Sequence, residues 1–273
     1  MSLMQSETVA CPACGKRILF DVIYSLNADR RPDLRAAIID GTLQQLNCPK
    51  CAATFRMEPE MTYLHVARNQ WLLVQPVGKL PEWRELEQSA RDTFEAAYGS
   101  GSPKAVREIG AALKTRVTFG WAALREKLIC EEQGLDDVTL ELLKLAIVRS
   151  EDSLQLTDDS ELRLVNIEGD QIVLAWIQAA SEALVETLRA PRSLYNEIAG
   201  DQNGWKALRE EVSAGPYVDF QRLLVAETEE TDDEDTAPAA GGRKRKPAAK
   251  SQKAPAKKSA PKSKAAARKK SRR

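Results

Sequence analysis

The 273-residue chain predicts an α+β protein: a small β-rich N-terminal domain, a mainly helical domain carrying a β-hairpin, and a disordered tail. Three observations lead there. Two Cys-Pro-x-Cys turns, Cys11–Cys14 and Cys48–Cys51, sit among strand-like residues near the N-terminus. From Pro81 onward, apolar residues recur at helical spacing. Beyond residue 225 no apolar side chain larger than alanine remains, and such a segment cannot bury enough surface to offset its ordering entropy.

The expected boundaries are 7–80 for the β domain, 81–225 for the helical domain and 226–273 for the tail. In the first, Arg17–Leu26 and Leu64–Gln75 are rich in β-branched and aromatic residues, with Asn69-Gln70 placed to close a hairpin. Pro32–Ile39 reads as one short helix, its proline in the first turn where a missing N–H costs nothing. Pro81 opens a helix with Trp83, Leu86, Ala90, Phe94 and Ala97 on one face. Gly99-Ser-Gly-Ser102 ends it and is the candidate joint. Ser102 as N-cap and Pro103 restart helix, and 103–149 read as helical throughout. Within that stretch Asp136 suits a cap and Leu135 a staple against Leu140. Val138–Val148 is apolar on nearly all sides and is expected to be buried. Glu161–Ile167 and Gln171–Ile177 alternate around Glu168-Gly169-Asp170, a β-hairpin pattern, and helix is expected from there to about Leu224.

Charge is balanced overall, with 40 basic and 40 acidic residues, yet it is segregated. Residues 243–273 carry 15 Lys or Arg and no acid, and seven acids sit in the run Glu227–Asp235. That leaves 25 basic and 33 acidic residues in 1–226, a net charge of −8. The N-terminus lacks the basic and apolar regions of a signal peptide. Apolar runs such as Ile172–Ile177 fall far short of the roughly 20 residues that span a bilayer. The expectation is a soluble cytoplasmic protein with no membrane partner. In that reducing compartment, paired cysteines are more often metal ligands than disulfides.

Cys11-Pro-Ala-Cys14 and Cys48-Pro-Lys-Cys51 are two copies of one device. A two-residue gap lets both sulfurs of a turn face one ion, and Pro12 and Pro49 hold the turn by fixing φ. The residue after the second cysteine needs positive φ; Gly15 meets that demand freely, and Ala52, its counterpart, less well. Flanking strands would set the two knuckles face to face, as in a zinc ribbon. Cys11, Cys14, Cys48 and Cys51 would then close a tetrahedral zinc shell, structural because no position is left for substrate water. Two disulfides, iron, or one redox pair beside an unrelated pair are the competing readings. Cys130, late in an amphipathic helix, reads as a buried small hydrophobe rather than a reactive thiol.

The segment around these turns resembles the CpXC family of bacterial zinc-ribbon-like proteins. The resemblance rests on Cys11-Pro-Ala-Cys14-Gly15, on Asn27-Ala-Asp-Arg-Arg-Pro32-Asp33-Leu34, and on Gly41-Thr-Leu43 before Cys48-Pro-Lys-Cys51. Phe119-Gly-Trp-Ala-Ala-Leu-Arg-Glu-Lys-Leu128, Gly134-Leu-Asp-Asp137 and Glu141-Leu-Leu-Lys144 extend it, so it covers residues 7 to about 225. Ala52 departs from the glycine usual in the family. The resemblance implies the fold and the four ligands, and implies no reaction.

Nothing in the chain reads as a catalytic constellation. The one histidine, His65, lies in a strand-like segment and reads as half-buried. No nucleophile elbow, phosphate-cradling loop or His-Glu-x-x-His pair occurs. Capping explains Asp136-Asp137 better than a carboxylate pair does, and a turn explains Glu168–Asp170 better than a metal site. The expectation is a non-catalytic zinc-binding protein. Arg243, Lys244, Arg245 and Lys246 open the basic tail, and Arg268, Lys269, Lys270, Arg272 and Arg273 close it. Such a tail would neutralise DNA or RNA phosphates without reading bases. It has no aromatic residue on which single strands would stack. The alternative is a protein-interaction adapter, in which the acidic body meets an unidentified protein partner and the tail only solubilises.

Overall fold

The computed structural model describes residues 2–58, 60–150 and 159–223. The strands of the N-terminal half are β1 (Leu3–Ala10), β2 (Arg17–Asn27), β3 (Gln45–Asn47), β4 (Thr54–Arg56), β5 (Met61–His65), β6 (Gln70–Gln75) and β7 (Lys114–Phe119). A second group comprises β8 (Ser160–Glu168), β9 (Gln171–Gln178) and β10 (Leu184–Pro191). The helices are α1 (Pro32–Ile39), α2 (Trp83–Tyr98), α3 (Lys104–Ala112), α4 (Gly120–Glu132), α5 (Asp137–Ser150), α6 (Arg192–Gly200) and α7 (Lys206–Val212). The architecture is mixed α+β, as the sequence predicts.

A five-stranded sheet runs in the order β1-β2-β5-β6-β7, with β2–β5 and β6–β7 parallel and the other pairs antiparallel. Helices cover both of its faces. On one, Trp121, Leu124 and Leu128 of α4 and Ile38 of α1 pack against Ile23, Leu26, Leu72 and Val74. On the other, Trp83 and Ala90 of α2 meet Trp71, Leu73, Val117, Phe119 and Tyr217. This double cover is why β6 is buried at every position and reads Gln-Trp-Leu-Leu-Val-Gln rather than alternating. A three-stranded antiparallel sheet, β10-β9-β8, packs with α5, α6 and α7 through Leu162, Leu174, Trp176, Leu142, Tyr195 and Val212.

Several expected elements form where the residues place them: β2, α1, α2 and the β8–β9 hairpin; the first hairpin forms too, but it turns through Val66–Asn69, with Asn69 in the left-handed region at φ 53°, and Gln70 opens β6 opposite His65 instead of closing the turn. Asp136 caps α5, its carboxylate accepting from the Thr139 N–H at 2.8 Å, and Leu135 and Leu140 are both buried in one cluster.

Other expectations need correction. Residues 103–149 are not continuously helical: Lys-Thr-Arg-Val-Thr-Phe forms β7, in register with β6 from Gln70↔Lys114 to Gln75↔Phe119. Nor does helix follow the second hairpin directly. Leu184–Pro191 pairs with β9 as a third strand, and α6 and α7 come only afterwards. Both segments carry β-branched residues, and pairing with a neighbouring strand overrides the helical reading of their surroundings. Ser102 does not cap α3. Its hydroxyl donates to the Ala97 carbonyl at 2.9 Å, closing α2, and Pro103 takes the cap position. Ala97 is exposed, and Tyr98 packs instead, ring to ring with Phe94. The joint at residues 99–102 does not divide the packing either. β7, beyond it, completes the sheet, and α4 shares a core with β2, so 7–80 and 81–223 belong to one packed unit. The predicted disordered tail, 226–273, lies outside the described residues.

Candidate metal centre

Each Cys-Pro-x-Cys turn sits at the tip of a hairpin. The first joins β1 to β2, whose ladder ends at Ala10↔Arg17, and the second joins β3 to β4, ending at Asn47↔Thr54. The two knuckles are hydrogen-bonded alike. The Cys11 N–H donates to the Lys16 carbonyl and the Gly15 N–H to the Cys11 carbonyl, both at 2.9 Å. The Cys48 N–H donates to the Ala53 carbonyl and the Ala52 N–H to the Cys48 carbonyl, also at 2.9 Å. Closing that second bond puts Gly15 at φ 67° and Ala52 at φ 58°.

The knuckles face each other. Cys14 Sγ stands 3.5 Å from Cys48 Sγ and Cys11 Sγ 3.7 Å from Cys51 Sγ, and all four sulfurs lie within 4.8 Å of one another. A disulfide would bring a pair to about 2.05 Å. Four sulfurs placed tetrahedrally at about 2.3 Å from an ion would stand about 3.8 Å apart. The donor set therefore fits a metal ion of thiophilic character, and all four cysteines are free to serve it. Burial works against ionisation of Cys48, but the Cys51 and Lys50 N–H groups aimed at its sulfur hold it down to about 6. The Ala53 N–H favours the Cys51 thiolate, yet the neighbouring sulfurs push Cys51 up to about 12. Four thiols this close cannot all ionise without a cation among them.

The carboxylates of Glu126, Glu141 and Asp219 also converge, within 4.8 Å and wholly buried. Cationic side chains already fill that space. Lys144 Nζ lies 2.9 Å from Glu126 and 2.7 Å from Glu141. Arg163 bonds Glu126, Glu161 and Asp219, and Lys127 bonds Glu141 at 3.1 Å and the Val218 carbonyl at 2.7 Å. Glu126 also accepts the Leu164 N–H at 2.6 Å and Glu141 the Phe220 N–H at 3.2 Å. Nearby, burial works against Asp137, but Lys127, Arg116 and Lys114 hold its carboxyl well below the usual range. This is an internal ion-pair network that ties α4, α5, β8 and the 216–223 segment together. The helical pattern of 138–148 hid it, because Glu141 and Lys144 look like the polar residues of an ordinary helix. Their i,i+3 spacing inside an otherwise apolar run was the available signal.

His65 is partly buried, 3.8 Å from Asp29 and 3.3 Å from the Tyr63 hydroxyl, and burial lowers its pKa. Cys130 is buried and its thiol pushed well up, first by burial and then by Glu126, as suits a packing residue. The tail residues Arg243–Lys246 and Arg268–Arg273 lie outside the described residues. Among those described, no helix is long and apolar enough to cross a membrane.

The fold and site thus define a mixed α+β protein with a four-cysteine centre compatible with a structural metal site. Residues 9–144 match the family model described as CpXC protein, and over those residues the chain belongs to that family. The match runs past both knuckles to Lys144, so it takes in α4 and the network residues Glu126, Lys127, Asp137 and Glu141. No curated protein and no solved structure matches the chain.

Proposed function

We propose that the cysteine quartet holds zinc as a structural ion, that the two knuckled hairpins form a zinc ribbon, and that the protein is non-catalytic. The observation behind this is the all-sulfur donor set at tetrahedral spacing, which leaves no open position for a substrate. Zinc would supply folding energy to hairpins with little core of their own: β1 is exposed along most of its length and β3 and β4 have three residues each. Metal analysis of the purified protein should give one zinc per chain. Iron in its place, or no metal with intact hairpins, would overturn the reading.

The proposed role is association with DNA or RNA through Arg243–Lys246 and Arg268–Arg273, by phosphate neutralisation and without base readout. Lys16, Arg17 and Lys50 are exposed but scattered, and Arg56 is occupied by Glu182 at 3.0 Å and by stacking on Trp121. The test compares full-length protein with a 1–235 truncation on duplex DNA and RNA across a salt series. Binding lost with the tail supports the proposal. Binding retained by the truncation would move the contact to the body.

A protein-adapter reading has one observation in its favour. Leu3, Met4 and Leu19 are each exposed on the β1–β2 hairpin that carries the first knuckle. Failure of the full-length chain to bind nucleic acid at low salt would bring that reading forward.

A further inference from the structure

A strand with no neighbour on one side leaves backbone N–H and C=O groups unmet, and proteins cover or blunt such edges. Most edges here are treated that way. At β7 the Val117 N–H donates to the Pro216 carbonyl at 2.9 Å. At β8 the Leu162 carbonyl takes Lys144 Nζ, and the Leu164 N–H meets Glu126. β10 is interrupted by a bulge between Leu184 and Glu186 and ends at Pro191. β2, beyond its pairing with β5, carries Arg17 and Asp21. β1 has none of these devices. Its eight residues include no proline, lysine or arginine, and the irregularity in its ladder falls on β2, where Tyr24 is the extra residue.

The ladder fixes the direction of the free groups. The Cys11 N–H bonds the Lys16 carbonyl, and in an antiparallel ladder bonded and non-bonded pairs alternate. With Ala10 opposite Arg17 and Gln5 opposite Val22, the residues bonded to β2 are Val9, Glu7 and Gln5. Met4, Ser6, Thr8 and Ala10 therefore turn their N–H and C=O groups outward, and these groups meet no partner among the described residues. All four residues are exposed.

We propose that this edge pairs with the same edge of a second copy, antiparallel about a twofold axis through Ser6. An axis normal to the sheet sets each residue against one on the same face, so it passes through a residue and not between two. Ser6 and Glu7 are the central residues of β1. An axis through Glu7 opposes two carboxylates, which destabilises a cross-strand pair. Through Ser6, the backbone of Met4 bonds that of Thr8 of the second copy, and Ser6 bonds its own counterpart. Gln5 then stands opposite Glu7 of the second copy, and Leu3 opposite Val9. Glu7 has an oxygen to spare, since the Tyr24 hydroxyl donates to Oε1 alone. A strand pair this short buries less than the roughly 1,200 Å² of a standard interface, so the dissociation constant should be on the order of 1–100 µM.

The test is sedimentation equilibrium of full-length, metal-loaded protein from about 5 to about 500 µM, with amide exchange measured at both ends of that range. Salt at about 0.3 M screens the oppositely charged segments of the tail. A dimer should form, and the Ser6 and Thr8 amides should slow with concentration, while that of Glu7, already bonded to β2, changes least. Thr8→Pro removes an outward N–H and leaves the β1–β2 ladder its bonds, so it should weaken the dimer at least tenfold. Gln5→Lys sets a cation opposite Glu7 of the second copy and should tighten the dimer about threefold or more, and Gln5→Glu should weaken it. Both change only an exposed side chain. A chain still monomeric at about 500 µM, or a dimer indifferent to all three variants and so held by another face, would overturn the proposal.

Discussion

Ala52 is where the second knuckle departs from the first. Both knuckles close the same N–H to carbonyl bond onto their first cysteine, which forces the residue after the second cysteine into the left-handed region. For a residue with a Cβ that region costs about 1–2 kcal/mol. Ala52→Gly should therefore stabilise the protein by about 1 kcal/mol, read as a raised urea midpoint at unchanged slope. In the other knuckle, Gly15→Ala should cost a similar amount through backbone strain alone, since a Cβ there meets nothing within 4 Å. Cys48→Ser is a different kind of change, because it removes one of four donors. If zinc is the resident ion, the variant should lose metal, and the N-terminal hairpins should lose their circular dichroism signal and cooperative melting. An unchanged melt would rule out a structural role for the site.

At the scale of elements, α4 and α5 meet through charge rather than through an apolar seam alone. Lys144, wholly buried, bonds Glu126 on α4 and Glu141 one turn earlier on its own helix. Removing it leaves the buried network one negative charge in excess, with Glu126 still paired to Arg163 and Glu141 to Lys127, so Lys144→Met should destabilise by about 3–5 kcal/mol in chemical denaturation. Replacing Glu126 by Gln in the same chain should restore much of that loss, because one uncompensated charge goes and an acceptor remains for the Leu164 N–H. A double variant no more stable than the single one would mean that Lys144 matters for packing and not for charge. The hairpin and helix stretches around this network were legible from periodicity. Strands β7 and β10 were not, since six or eight residues without a clean alternation acquire their state only by pairing with β6 and β9.

For the molecule as a whole, the network sets how stability responds to acid. Burial opposes ionisation of Asp219, but Arg163 holds it down to about 2, and Asp137 is likewise held low by Lys127 and Arg116. Groups whose folded pKa lies below the unfolded value stabilise fully above about pH 4, the ordinary carboxylate range. That contribution is lost as pH falls through the folded value. The thermal midpoint should thus fall steeply between about pH 4 and pH 2, and Asp219→Asn should flatten the fall while lowering the midpoint at pH 7. Since the network spans α4, α5, β8 and residues 216–223, its loss should unfold the described body in a single transition.

The sequence by itself determined what is local. Spacing and turn chemistry marked the four cysteines, the glycine after the first knuckle, the Pro-led helix α1, the Asp136 cap and the β8–β9 turn, all of which depend on neighbours a few residues away. The separation of a basic tail from an acidic body is also a property of the chain alone. Tertiary structure decided the rest. Only folding brings Cys14 within 3.5 Å of Cys48, 34 residues away, and only folding shows that Lys144 faces two carboxylates in the interior. It also joined residues on both sides of the Gly99–Ser102 joint into one sheet, because β6 needs a partner on its open edge and β7, distant in sequence, is the segment that satisfies its backbone. Hydrogen-bond demand and the cost of burying charge act between segments far apart in the chain, and for that reason they leave little trace in local pattern.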